Sequence, residues 1–242
     1  MTNSIQVVVQ CASGRTMSFG VTDVTDNTLT TLVTQGVGLN QTSAIDLGNA
    51  LPGETIVRAY GTVTAATTAS ITVSYNFGYI ENSDGSIALP IEGGGCLSGD
   101  MPSVCRPLRV TVGMLLKAQL NVATATSKSA SLVAYCASGK TAVFNVTAVA
   151  DTKTEMVDVI TGGTIGQSLA GQRIIKSYAT FSNLYGLNDD QGGNNFYFME
   201  NAQGQLKGTF FPVLANGYGQ VKMVDSGIPV LQNDSLSVTW GS

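Results

Sequence analysis

The chain has 242 residues, of which 43% are hydrophobic and only 12% charged; the net charge is −4 and there is no histidine. The missing histidine excludes Ser-His-Asp and Cys-His catalysis. A pI near 4.7 with only scattered cations, Arg106, Arg109 and Lys117, excludes a clustered phosphate-binding footprint, and no apolar run approaches the roughly 18 residues of a membrane span.

The N-terminus, Met1 to Ser4, lacks the positive start of a secretory leader, so the chain reads as made in the cytoplasm. Short runs of alternating apolar and polar residues follow, rich in β-branched and aromatic side chains. Ile5 to Gln10, Met17 to Val24, Ile56 to Thr64, Ser70 to Ile80 and Leu120 to Ala125 read as strands, with Gly, Asn, Asp and Pro between them. On the third, strict alternation puts Ile56, Arg58 and Tyr60 on one face and Val57, Ala59 and Gly61 on the other. Asp26 or Asn27, followed by Leu29, Leu32 and Val33, offers a short capped helix. Glu81-Asn82-Ser83-Asp84-Gly85 reads as a hairpin turn, Gly supplying the positive φ, and Pro90 should end the next strand or lie on an edge. Cys96 and Cys105 bracket a loop; a local disulfide and a pair of reduced thiols both fit their spacing.

The second half runs through the same signals. Ser131 to Tyr135, Ala142 to Val149, Ile174 to Phe181, Asn195 to Met199 and Ser235 to Trp240 read as strands, and Thr152-x-x-Glu155 before Met156, Val157 and Ile160 resembles a capping box. Identities recur in order. Cys11-Ala12-Ser13-Gly14 returns as Cys136-Ala137-Ser138-Gly139. Leu51 to Thr62, with Arg58 and Tyr60, returns as Leu169 to Thr180, with Lys176 and Tyr178. Glu81 to Gly85 returns as Glu200 to Gly204, and Leu120-Asn121-Val122 pairs with Leu236-Ser237-Val238. The period is that of a whole small domain. The expected fold is therefore all-β, two tandem, internally duplicated β-sandwich domains of jelly-roll type, residues 1–126 and 127–242, joined by a short link that holds them side by side.

Nothing in this pattern asks for chemistry or a cofactor. Glu81 and Glu200 could form half of a glycosidase carboxylate pair, but their place at a hairpin start reads as contact with the turn backbone. Asp189 and Asp190, in an oxygen-rich run from Asn188 to Asn195, are the Ca²⁺ candidate; the spacing departs from an EF-hand and reads as a solvated loop. Cys11 and Cys136 read as small buried hydrophobes, and Trp240 as a core or inter-domain anchor. Tyr60 and Tyr178, each two residues after a cation, would suit a Tyr–cation site or a sheet face meeting another subunit. Low charge makes broad subunit contacts inexpensive to desolvate.

The tandem of two similar β-sandwiches, carried by the repeats Cys11/Cys136, Tyr60/Tyr178 and Glu81/Glu200, resembles the double jelly-roll capsid proteins of tailless icosahedral viruses. The resemblance implies a virion subunit with no enzymatic activity, synthesised in the host cytoplasm. Its partners would be itself, as a homotrimer within a larger shell, and other virion proteins, without direct contact to nucleic acid. A minor, decoration or spike protein, or a pair of carbohydrate- or cell-binding modules, is the alternative.

Overall fold

A computed structural model of the chain describes residues 4–22, 24, 28–35, 44–64, 72–91, 107–123, 129–147, 153–182, 196–210 and 220–239. The chain divides into two units, Met1–Val122 and Ala123–Ser242, and both are built of antiparallel strands.

The first unit runs β1 (Ser4–Cys11), β2 (Thr16–Thr22), β3 (Leu29–Thr34), α1 (Leu47–Ala50), β4 (Thr55–Thr64), β5 (Thr72–Glu81), β6 (Ile87–Ile91), β7 (Leu108–Arg109) and β8 (Leu115–Ala123). The strands form one curled sheet in the order β6-β5-β8-β3-β2-β1-β4-β7. The curl turns on β3, which belongs to two ladders. Its end pairs with β2, Phe19 opposite Thr34, and its start with β8, Leu29 opposite Gln119. Alternation in β1 drives one face inward: Ile5, Val7, Val9 and Cys11 are at most 4% exposed. Each such aliphatic side chain contributes about 1.5–3 kcal/mol by leaving water. Phe19, Leu32, Ile56, Ile80 and Leu116 complete the same cluster.

The second unit runs β9 (Ser129–Cys136), β10 (Thr141–Val146), β11 (Thr154–Glu155), β12 (Val157–Asp158), α2 (Ile165–Leu169), β13 (Arg173–Ser182), β14 (Phe196–Glu200), β15 (Leu206–Phe210), β16 (Gln220–Pro229) and β17 (Ser235–Thr239). Here there are two sheets, β12-β10-β9-β13-β16 and β11-β17-β14-β15. Met156, fully buried, separates β11 from β12, and its N–H donates to Leu236 O at 2.9 Å. The core is built on Leu132, Phe144, Ile174, Tyr197, Phe210 and Leu236.

Both helical expectations fail. Leu29, Leu32 and Val33 lie in β3, while Glu155 and Val157 lie in β11 and β12. The β-branched residues there lose χ1 freedom in a helix, and the ladders with β8, β10 and β17 satisfy the backbone instead. The helices stand elsewhere, in equivalent places before β4 and β13. Asp46 caps α1, accepting from Asn49 N–H at 2.9 Å. Thr164 and Gln167 form the capping box of α2. Each helix carries a glycine because a turn backbone lies against it: a Cβ on Gly48 would stand 2.7 Å from Met114 N, and one on Gly166 would stand 2.7 Å from Asp234 N.

Two further readings are corrected. The residue matching Leu236 is Leu116, since Gly48 N–H donates to Met114 O just as Gly166 N–H donates to Asp234 O; β8 accordingly begins at Leu115. Leu120-Asn121-Val122 resembles the second-half sequence by composition but is displaced along the strand. Pro90 does lie on an edge strand, β6, opposite Tyr79. The turn glycines Gly85 and Gly204 have φ of 83° and 73°.

Candidate interaction surface

Two of the repeated pairs, Arg58/Lys176 and Tyr60/Tyr178, occupy the same place in their units, on the strand beside β1 and the strand beside β9. In the first unit, β1 lies between β2 and β4, and its outward residues face partners across both ladders. Val8 is opposite Ser18 and Tyr60, Gln10 is opposite Thr16 and Arg58, and Gln6 is opposite Gly20 and Thr62. In the second unit β9 lies between β10 and β13. Val133 is opposite Val143 and Tyr178, Tyr135 is opposite Thr141 and Lys176, and Ser131 is opposite Asn145 and Thr180.

A β-bulge sets this face. The β1/β4 register slips so that Cys11 faces Ile56 while Gln10 faces Arg58, leaving Val57 as the extra residue. The same slip in β9/β13 leaves Ile175 over. Strict alternation had grouped Ile56 with Arg58 and Tyr60; the bulge instead sends Ile56 inward with Ala59, both fully buried, and leaves Val57 and Ile175 at 42% and 37% exposure. A bulge recurring at the same point re-aims the residues after it. Here it places each cation on the outer face.

The two copies of the face differ in exposure. In the second unit Ser131, Val133, Val143, Asn145 and Tyr178 are all at most 8% exposed, although none belongs to the core cluster. In the first unit Gln6 and Arg58 are exposed, and Val8, Gln10 and Ser18 are half-buried. Gln6 Nε2 donates to Ser18 Oγ at 2.5 Å. Lys176 holds its ammonium 4.6 Å from the centre of the Tyr135 ring, since Tyr135 lies directly across the ladder from it. Tyr135 was missed since its counterpart is Gln10, not an aromatic residue.

Glu81 and Glu200 are held by lysines rather than by their turn backbones. Lys117 Nζ donates to both oxygens of Glu81 at 2.8 Å. Lys153 pairs with Glu200 and lies 5.7 Å from the Phe198 ring centre. Lys117 lies on β8 and Lys153 just before β11, so the same carboxylate position is neutralised in two ways. Among the described residues no group of three or more Cys, Asp or Glu is placed to hold a metal ion. Cys11 and Cys136 are free and buried; desolvation pushes both thiols up, with Glu54 adding to the rise at Cys11. Cys96, Cys105, Asp189, Asp190 and Trp240 lie outside the described residues.

One buried polar cluster had no sequence signal. Asp234 Oδ2 accepts from Leu231 N–H at 2.7 Å and from Lys207 Nζ at 2.5 Å, and the same ammonium donates to Pro229 O. Asp234 and Lys207 replace Met114 and Ala88 of the first half, so the internal repeat gives no hint of them.

No family model matches the chain, and neither a curated protein nor a solved structure matches it. Among the described residues no helix is long and apolar enough to cross a membrane.

Proposed function

We propose that the chain is a structural virion protein, a capsid subunit whose two jelly-roll-like units assemble through symmetric protein–protein contacts. The observation that carries this reading is the strand order, which occurs twice. A jelly roll, its strands lettered B to I along the chain, has the sheets B-I-D-G and C-H-E-F. With β2 in the place of B and β1 in the place of I, the first unit contains β2-β1-β4-β7 and β3-β8-β5-β6. This order supports the jelly-roll reading, with the last strand of that plan moved to the front of the chain. With β10 as B and β9 as I, the second unit gives β10-β9-β13-β16 and β11-β17-β14-β15. Two such units in one chain give a trimer six similar corners, which lets a three-fold object fill a nearly six-fold place in a shell. A charged share of 12% keeps the desolvation cost of wide contacts low.

On this reading the protein is made in the host cytoplasm, resides in the virion and meets other virion proteins. The acidic balance leaves genome contact to another component. The test is sedimentation across a wide concentration range, with electron microscopy of the purified protein. Trimers or shells are expected; a monomer at every concentration, binding a glycan array, would replace this reading with that of a carbohydrate-binding module pair.

A further inference from the structure

The longest unbroken identity between the halves falls on an exposed turn. Cys11-Ala12-Ser13-Gly14 recurs as Cys136-Ala137-Ser138-Gly139, followed by Arg15 in one unit and Lys140 in the other. Each cysteine is buried, and every residue from Ala12 to Arg15 and from Ala137 to Lys140 is exposed. The backbone accounts for the glycine and the serine. Gly14 and Gly139 take φ of 86° and 89°, which glycine adopts without strain. Ser13 Oγ donates to Glu54 Oε2 at 2.7 Å, and Ser138 Oγ donates to Gln172. The cation has no such duty. The bonds that close the tip use its main chain, Cys11 N–H to Arg15 O and Cys136 N–H to Lys140 O, and the Lys140 ammonium donates to a neutral carbonyl, Ser168 O. Nor is it kept to answer a carboxylate, since Glu54 of the first unit is replaced by Gln172 in the second. A second cation recurs beside it: Arg58 lies opposite Gln10, and Lys176 opposite Tyr135. Two cations thus flank the end of β1 and of β9, with backbones roughly 10 Å apart at the usual strand spacing.

We propose that this corner of each unit, Arg15 with Arg58 and Lys140 with Lys176, binds an anionic polysaccharide, sulfated or carboxylated, so that the chain carries two equivalent sites. The chemistry of the occupant follows from what the repeat keeps and what it lets change. Charge is kept at both positions, while Arg is exchanged for Lys at both. A guanidinium forks onto one carboxylate or phosphate in a plane, and an ammonium does not. A site that uses either reads charge rather than shape, which suits a flexible polyanion better than one fixed carboxylate. The rest of the tip, Ala-Ser-Gly, offers no large apolar side chain to anchor a protein partner. Single-stranded nucleic acid binds by stacking bases on aromatic rings, and the first unit has Gln10 where the second has Tyr135. This inference goes beyond the assembly reading and does not depend on it, because a shell subunit and a monomer can carry such sites alike.

The experiment titrates the full-length protein into a fluorescently labelled heparin oligosaccharide at low ionic strength, read by anisotropy. Labelled neutral dextran, polyglutamate and single-stranded DNA of similar length run beside it. Binding to heparin and not to dextran is expected, weakening as salt screens the charges. Arg15→Ser combined with Lys140→Ser removes one cation from each site and should raise the Kd for heparin by about tenfold or more. Arg15→Lys combined with Lys140→Arg keeps the charge and should stay within about twofold. Lys128→Ser, a cation with Asn3 at the corresponding place in the first half, serves as the control and should also stay within about twofold. A wild type that does not bind heparin, or a Kd unmoved by the serine pair, would overturn the site. Tighter binding of polyglutamate or of DNA than of heparin would overturn the polysaccharide as its occupant. Sedimentation of the same samples keeps the two readings apart: the serine pair should associate as the wild type does, and a failure to associate bears on assembly alone.

Discussion

The turn before the last strand is built twice with different chemistry. In the first unit Thr111 N–H donates to the sulfur of Met114 at 3.4 Å. In the second, Leu231 N–H donates to a carboxylate oxygen of Asp234 at 2.7 Å. The backbones agree, each closing with a bond from the fourth residue back to the first, Met114 N–H to Thr111 O and Asp234 N–H to Leu231 O. Around them the neighbours have changed together: Ala88 stands where Lys207 does, on β6 and β15 respectively. An apolar pair in one unit is an ion pair in the other, with the Asp234 side chain 1% exposed. The turn needs an acceptor at its fourth residue. A thioether supplies it weakly but sits comfortably in a core; a carboxylate supplies it strongly but then requires a cation.

That comparison can be broken from several sides. The largest effect should come from Asp234→Ala, which leaves the largely buried ammonium of Lys207 unpaired and strips the turn of its acceptor. Chemical denaturation should show a loss of about 3–5 kcal/mol, whereas a loss below about 1 kcal/mol would mean that water reaches the pair freely. Next come Gly48→Ala and Gly166→Ala, which push a methyl group into the turn backbone in both units. A loss of about 1–3 kcal/mol is expected for each, measured in the same way. Similar values would show that helix and turn meet alike whichever acceptor is present.

A smaller change is expected when the chemistry of the first unit is moved into the second. Lys207→Ala with Asp234→Met together should cost no more than about 1.5 kcal/mol, and can stabilise, because a buried ion pair often does no better than apolar packing of like volume. The double variant should therefore be more stable than Asp234→Ala alone; the reverse order would show that the pair contributes net stability.

The smallest effect is on the alkaline side. Burial raises the thiols of Cys11 and Cys136 above their ordinary value of 9.0 and the phenol of Tyr197 well above 10.0. With the folded value above the unfolded one, the folded state holds these protons longer. The stability they contribute is complete below the unfolded value and is lost as pH rises through the folded one. Unfolding midpoints should decline from about pH 9 upward, less steeply in Tyr197→Phe. Equal slopes in the two proteins would show that the phenol is hydrated.

The all-β class and most strand positions were legible because inward alternation is strong where one face is buried, as in Ile5, Val7 and Val9. The hairpin glycines were legible too, since positive φ selects them. Other features were hidden for stated reasons. A bulge leaves no mark in composition, so the strand carrying Arg58 and Tyr60 was read with its faces interchanged before the extra residue. Thr152-x-x-Glu155 has the letters of a helix cap, but caps are local and the ladder to β17 is not. The Asp234–Lys207 pair was invisible because internal comparison finds what two halves share, and this is where they differ. Glu81 and Glu200 were found as repeats, yet their lysine partners, Lys117 and Lys153, come from unrelated positions.

The placement of β8 between β3 and β5, and of β17 between β11 and β14, bears on how the protein is made. A ribosome delivers these strands last within their units, yet each belongs in the interior of a sheet. Until β8 emerges, β3 and β5 expose facing rows of unpaired backbone groups, an invitation to pair with the wrong chain. The first unit can close that gap as residues up to Ala123 leave the exit tunnel, before the second unit exists to compete for it. In the second unit the gap between β11 and β14 is filled by residues 235–239, again the last strand of that unit to be delivered.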